Sequence, residues 1–252
     1  VSLNDAMLKA EAAKHPYPLL FATVSGAHLY GFASPDSDVD LRGVHILPAR
    51  EALSLEVPPE TVTHEDFVEG IEIDLVTHDA KKFFGLLLKR NGYVLEQVLS
   101  PLVVLSTPEF EELRAIAPFC ATRHHVHHYR GFALNEWEMF KRADVKRIKP
   151  LLYVYRVLLT GVHLMRTGEV QANLPILADE YNMPFLHDLV REKTQGTEKG
   201  ELAQADVELH TRNVEALTDR LLDEAERTPL PETTECRPAL NDLLVRLRLK
   251  SV

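Results

Sequence analysis

Asp38, Asp40 and Asp74 are the residues whose types and spacing point most directly to chemistry. Asp38-Val39-Asp40-Leu41 follows the turn Ser34-Pro35-Asp36-Ser37. In an extended strand residues i and i+2 share a face, so Asp38 and Asp40 project together while Val39 and Leu41 turn to the core. Two carboxylates held side by side repel each other, and a hard divalent cation such as Mg²⁺, which takes oxygen ligands, is the simplest remedy. Taken alone, Asp-x-Asp more often marks a solvated strand edge or turn. A third acid changes the weighting. The run Gly70-Ile-Glu-Ile-Asp-Leu-Val-Thr77 alternates, with Ile71, Ile73 and Leu75 inward and Glu72 and Asp74 on the opposite face, which makes Asp74 the natural third ligand.

Upstream, a strand ends in Ser25-Gly26. Gly26 has no side chain to keep backbone amides from approaching a phosphate, and a short helix starting there turns its N-terminus to the anion. Gly26 and Gly31 also fit plain loop positions. Three carboxylates beside a phosphate cradle are what two-metal phosphoryl transfer requires. One ion activates an attacking hydroxyl, the other steadies a triphosphate and its leaving pyrophosphate, and the Asp nearer the hydroxyl can serve as its base. Arg42 falls on the same face by parity, where an ion pair with Glu72 or Asp74 weighs at least as heavily as contact with the substrate. For His28 and Tyr30, packing or a solvent-facing position outweighs nucleotide contact.

These groups must be positioned by a fold whose character changes near residue 110. Before it, the runs Leu19–Ser25, Val39–Leu47, Thr61–Phe67 and Gly70–Thr77 read as strands between Pro, Gly and Asp punctuation. Helices are predicted over Ser2–Lys14 and Asp79–Arg90. After it the period is helical, over Thr107–Ala117, Cys120–Arg142, Lys146–Thr167, Pro184–Glu192, Glu198–Arg227 and Arg237–Lys250, with a Pro-rich loop at Thr228–Thr234. The expected class is α+β: a mixed-sheet domain with flanking helices over residues 1–112, then an all-helical domain over residues 113–252.

The 252 residues carry a net charge of −10 and a mean hydropathy of −0.13, ordinary for a globular chain and a poor match to one that coats nucleic acid by charge alone. Charge is unevenly spread. Residues 1–112 hold 8 basic and 18 acidic side chains, residues 123–166 hold 9 against 3, and residues 167–252 hold 10 against 17. A positive block between acidic flanks is the expected place for an anionic substrate. The apolar stretches Pro18–Val24 and Leu151–Leu159 fall short of the roughly 20 residues of a membrane span. No secretory leader pattern opens the sequence, and Cys120 and Cys236 alone do not make a disulfide framework, so a reducing, cytoplasmic setting is expected, with buried or incidental thiols. No obligatory protein partner is evident.

Within the basic block, Lys141, Arg142, Lys146, Arg147, Lys149 and Arg156 lie within sixteen residues. Each alone suits a solvated face. Lys149 and Arg156 share a helical stripe with Lys146 or Tyr153, and such a stripe can line a cleft. In Thr122-Arg-His-His-Val-His-His-Tyr129, His124, His127 and His128 fall at i, i+3 and i+4, but nothing in the spacing supplies a fourth zinc ligand, so packing or surface use is the leading reading. Trp137, Tyr153 and Tyr155 are read as core.

The whole pattern Ser25-Gly-x-x-x-Tyr30-Gly31, five residues, then Ser37-Asp-x-Asp-x-Arg-Gly-Val44 resembles the DNA polymerase β-like nucleotidyltransferase superfamily, and within it the bacterial YcgL type. The superfamily likeness covers roughly residues 15–110, and the run Lys149–Leu174, with Arg156, Gly161, Thr167-Gly168 and Asn173-Leu174, is similar to the subgroup's helical tail. The usual Gly-Ser order is reversed here as Ser25-Gly26. The resemblance implies that Asp38, Asp40 and Asp74 bind two Mg²⁺ or Mn²⁺ ions, that Ser25 and Gly26 meet the triphosphate of an NTP, and that a nucleoside monophosphate passes to an acceptor hydroxyl. Two-domain relatives of the kanamycin-modifying type close a helical domain on the nucleotide, and this likeness implies Lys149 and Arg156 as the phosphate contacts of the helical half. An RNA end is the leading acceptor, because the subgroup is similar to components of RNA-repair gene clusters. A small hydroxylated molecule or a protein side chain are the rival acceptors, and a nucleotide-binding regulator that turns over poorly is the alternative of another class.

Overall fold

The structure, a computed structural model, describes residues 4–195 and 206–250. It is α+β, with a mixed sheet and many helices. The chain divides into two compact units: one comprises the residues up to Leu29, Ser37–Cys120 and those from Thr233 onward, the other Tyr30–Asp36 and Ala121–Glu232. This is not the single cut expected near residue 112. A seven-residue stretch of the N-terminal motif packs with the helices, and the last helix packs with the sheet.

The sheet unit begins with α1 (Asp5–Ala13), whose N-cap Asn4 accepts the Met7 amide at 3.3 Å. The elements β1 (Leu19–Val24), α2 (Gly26–Tyr30), β2 (Val39–His45), α3 (Ala49–Ala52), β3 (Thr61–Val68) and β4 (Ile71–Asp79) follow. After them come α4 (Ala80–Leu88), α5 (Gly92–Val98), β5 (Val103–Ser106), α6 (Pro108–Ile116) and a 3-10 turn at Ala117–Cys120. Strand order is β3-β4-β2-β1-β5; β2 and β4 run parallel, and the other neighbours antiparallel. Between β3 and β4, Glu69 and Gly70 both have positive φ (52° and 84°), which suits a tight hairpin whose twist matches the strands.

Alternation sorts the side chains onto two faces. Met7, Leu8 and Ala12 of α1 cover Val24, Val39, Leu41, Ile73, Leu75 and Val104 on one face. On the other, the Phe21 ring lies 5.6 Å from Phe83 of α4 and 4.4 Å from Phe110 of α6. Burial on both faces explains why β1 reads as a continuous apolar run.

The helical unit contains α7 (His125–Arg142), α8 (Ile148–Thr167), α9 (Leu174–Glu180), α10 (Phe185–Gln195) and α11 (Asp206–Arg227). The central α8 is buried along most of its length between α7 and α11. Close approach is set by Gly161: a Cβ there would stand 2.7 Å from Tyr129 Cβ and 3.1 Å from Leu221 Cδ1. At Gly168, φ of +79° ends α8 in the left-handed conformation that glycine adopts without strain. Finally α12 (Arg237–Lys250) returns to the sheet unit, burying Leu240, Leu243 and Leu247. Its Arg246, Arg248 and Lys250 pair with Glu112, Asp79 and Glu109.

The helix expected from Cys120 starts at His125, because the 3-10 turn and a loop intervene. Of the helix expected over Glu198–Arg227, residues 198–205 lie outside the described residues, as do Ser2 and Leu3 of the first. No helix among the described residues is long and apolar enough to cross a membrane.

Candidate active site

The site is assembled by the parallel pairing of β2 with β4, which sets Asp40 directly beside Asp74 on one face. Where β1 ends, the Ser25 amide donates to the Asp40 carbonyl at 2.8 Å, which fixes the following turn against β2. There Gly26 takes φ of +60°, and a Cβ on it would fall 1.8 Å from Asp40 Oδ2. The Asp40 carboxylate therefore rests on bare backbone at the start of α2. The sequence assigns Gly26 the close approach of a phosphate; the group the structure sets against it is the Asp40 carboxylate.

Arg42 joins the two acids. Its Nη2 donates to Asp40 Oδ1 at 2.5 Å and to Asp74 Oδ2 at 3.0 Å, and its Nη1 to the Asp74 and Leu41 carbonyls at 2.7 and 2.9 Å. Its Nε donates to the Tyr93 hydroxyl of α5 at 3.3 Å. Burial opposes this charge, but Tyr93, Asp40 and Asp74 outweigh it and hold the guanidinium above its ordinary pKa. Of the ion pairs weighed for Arg42, the one with Asp74 forms, and Asp40 takes the place given to Glu72.

Asp38 stands one residue ahead of β2, half-buried in the irregular stretch that leads into the strand. Among the described residues, the group of three possible metal-binding side chains with ligand atoms within 4.8 Å of one another is Glu11, His64 and Asp66. The aspartate triad does not form so tight a group, and Arg42 spans two of its members. His64 and Asp66 pair with Leu75 and Ile73 in the β3–β4 register, so this second cluster belongs to the face covered by α1, opposite to Asp40 and Asp74. Lys14 already bridges it, with Nζ 2.8 Å from Glu11 Oε1 and 2.7 Å from Asp66 Oδ2.

Two residues of the site face escaped the sequence reading. Glu65 lies opposite Asp74 in the antiparallel register, and the alternation of Thr61–Phe67 holds the signal that could have found it. Tyr93 had no comparable signal, because α5 is a short helix of seven residues in a stretch assigned no element.

The other motif residues belong to the helical unit. Tyr30 is 1% exposed, edge-on to Tyr153 at 5.6 Å, and the Arg156 guanidinium lies 4.0 Å from its ring centroid. Arg156 itself is 3% exposed, and Lys149 is half-buried. Gly31, at φ +81°, lies against the Asn173 side chain, where a Cβ would approach Nδ2 to 2.6 Å. The buried Lys193 donates to Ser34 Oγ at 2.7 Å. Next to it, the Ser34 hydrogen bond, a backbone hydrogen bond and the charges of Lys193 and Lys149 keep the Asp36 carboxyl below its usual range.

In the histidine run, His125 caps its own turn by accepting the Thr122 amide at Nδ1 (3.1 Å), and His124 approaches Glu232 at 3.4 Å. Burial, helped by the Arg156 charge, lowers the pKa of His128. These are the packing and surface uses expected of the run.

A family profile described as RlaP, the RNA repair pathway DNA polymerase beta family, matches residues 2–246. The chain belongs to the RlaP family. The relationship agrees with the polymerase β-like resemblance drawn from Ser25–Val44 and places the RlaP chain among nucleotidyltransferases of that type. Among relatives, the uncharacterized protein MJ0002 of Methanocaldococcus jannaschii is 31% identical over 157 residues, 61% of this chain and 63% of that protein, so the match spans less than two thirds of its length. The uncharacterized protein YcgL of Bacillus subtilis is 23% identical over 250 residues, 94% of this RlaP chain and 92% of its own. A solved nucleotidyltransferase-like protein from Exiguobacterium sibiricum is 12% identical, with a TM-score of 0.34, covering 88% of this chain and 76% of that one.

Proposed function

We propose that the chain transfers a nucleoside monophosphate from an NTP to an acceptor hydroxyl, with an RNA end as the acceptor. The observation that carries the reading is the register of Asp40 beside Asp74, with the Asp40 carboxylate seated on the backbone of Gly26. Family membership and the positive block at residues 123–166 support RNA.

The donor set fits hard divalent cations: these are carboxylate oxygens, and the Gly26 turn leaves no side chain beside Asp40. Asp38, Asp40 and Asp74 are the residues that would hold two Mg²⁺ or Mn²⁺ ions, which when bound supply positive charge for the triphosphate and for the attacking hydroxyl. The chain's own contributions follow from position. Asp40 or its neighbour accepts the proton of the acceptor hydroxyl. The Ser25 hydroxyl and the Gly26 backbone orient the triphosphate at the start of α2. Arg42 sits between Asp40 and Asp74, so it offsets their charge and is in place to meet phosphate charge once they are otherwise neutralised. Lys149 and Arg156 are the proposed phosphate contacts of the helical unit, and the half-buried Lys149 is the more accessible of the two.

The Arg42 clamp also favours a second reading, a nucleotide-binding regulator of slow turnover, because the cation that neutralises Asp40 and Asp74 is built in. One experiment separates the two. The protein is incubated with each labelled NTP, with Mg²⁺ or Mn²⁺, and with or without RNA. Transfer to RNA, reduced roughly 100-fold or more by Asp40→Asn or Asp74→Asn, is expected. NTP binding without transfer to RNA, a small hydroxylated acceptor or protein would overturn the enzymatic reading in favour of the regulator, and label on a non-RNA acceptor would overturn RNA.

A further inference from the structure

Cys120 and Cys236 are 116 positions apart, yet their sulfurs lie 2.7 Å from each other in the sheet unit. That is closer than two non-bonded sulfurs rest and needs only a small movement to reach the roughly 2.05 Å of a covalent S–S bond. Both side chains are buried, at 1% and 6% exposure, so neither sulfur has been drawn toward the other by a flexible surface loop. Each is anchored from its own side. Cys120 Sγ points back to the Ile116 carbonyl at 3.9 Å. Thr234 Oγ1 accepts the Cys236 amide at 3.1 Å, lies 3.0 Å from Cys236 Sγ, and donates to the Phe119 carbonyl at 2.7 Å. A single threonine thus pins the residues before both cysteines together. The chain leaves the sheet unit just after Cys120 and rejoins it at Thr233, three residues before Cys236.

We propose that Cys120 and Cys236 are an oxidation site at which an intramolecular disulfide forms and ties the start of α12 to the 3-10 turn, closing a covalent loop around residues 121–235. The oxidant is a hydroperoxide. One thiol, Cys236 by virtue of its exposed neighbours Thr233 and Glu235, takes an oxygen atom to become a sulfenic acid, and the peroxide leaves as water or alcohol. The Cys120 sulfur attacks that sulfur, the S–S bond forms as the S–O bond breaks, and hydroxide departs as water with the proton of Cys120. Burial, with Cys236 alongside, pushes the Cys120 thiol well above its ordinary range, so this sulfur resists casual alkylation and joins its neighbour through proximity rather than through a standing thiolate. A loop of this length loses much of its unfolded-state freedom when closed. The proposal is independent of the nucleotidyltransferase reading.

The test uses the full chain, reduced or treated with hydrogen peroxide. Thiols are counted after denaturation, intact mass is measured, and unfolding is followed with and without dithiothreitol. Expected are loss of both thiols, a mass lower by two hydrogens, a monomer on a non-reducing gel, and a melting temperature raised on the order of 5–10 °C and restored by reductant. Cys236→Ser retains its remaining thiol or gains oxygen, and shows no reversible shift. If both thiols survive peroxide, if mass rises through sulfinic acid, or if chains cross-link to one another, the site is not what we propose. Cys120→Ala serves the same purpose should Cys236→Ser fold poorly.

Discussion

At Gly26 a single hydrogen atom in place of a side chain lets Asp40 sit against the chain. Substituting Gly26→Ala places a methyl group on the Asp40 carboxylate and holds an L-residue at φ +60°, which by itself costs about 1–2 kcal/mol. The expected result is a folded protein with melting temperature lowered by a few degrees and nucleotidyl transfer reduced far more than stability, read from chemical denaturation beside activity. Arg42 makes the complementary prediction. Arg42→Met removes the cation that bridges Asp40 and Asp74, so Mn²⁺ binding, measured by calorimetry or spin resonance, tightens by roughly tenfold or more. Unchanged Mn²⁺ affinity would show that these acids do not bind the ion together.

Among the elements, the strands were the most legible. Alternation alone placed Asp40, Arg42 and Asp74 on one face, and the register agrees, because one residue of slip would have turned the apolar set of β2 and β4 outward. What alternation does not carry is how β2 begins: Asp38 lies before the strand rather than within it. Short elements were also silent, since β5 has four residues and α9 starts with a proline-containing turn, too little chain for a period to show. Nor does local sequence reveal that Tyr30 and Gly31, four and five residues beyond the Gly26 turn, are held by Arg156 and Asn173 from far along the chain. Replacing Arg156 with alanine leaves Tyr30 without its cation and opens a buried space, so the helical unit is expected to lose about 2 kcal/mol or more, measured by urea unfolding.

The strand ends carry a pH dependence of their own. His45 is fully buried, stacked on Tyr17 at 5.4 Å and bonded to Thr77 Oγ1 at 2.9 Å. Burial, then the nearby His15, lowers its pKa to about 4. The unfolded chain takes up this proton near pH 6.5 and the folded chain only near pH 4, so stability is full above the first value and declines as the pH falls between them. From His45 alone the loss reaches roughly 3 kcal/mol, and His15 and His78, shifted the same way, add to it. Denaturation at pH 7.5 and pH 5 should show the decline, and His45→Gln should shrink it.

On the scale of the molecule, the sheet unit is finished by residues far from its strands in sequence. Leu240, Leu243 and Leu247 are buried in it, each contributing about 1.5–3 kcal/mol, and Arg248 ties α12 to Asp79 at the end of β4. A chain ended after Glu232 is therefore expected to lose the cooperative unfolding of the sheet unit while the helical unit still melts as a body, a difference calorimetry resolves. The positive block identified from the sequence lies within the helical unit, and its Lys149 is tied by charge to Asp36 of the motif stretch.

This order of segments bears on how the protein is made. Once Cys120 has been synthesised, the ribosome must still add residues 121–236 before Arg237, the first residue of α12, exists. At translation rates of about 5–20 residues per second this delay is on the order of ten seconds. For that interval the nascent sheet waits with the ground that α12 will cover open to water, which makes it a natural client for chaperones that shelter apolar surface on emerging chains.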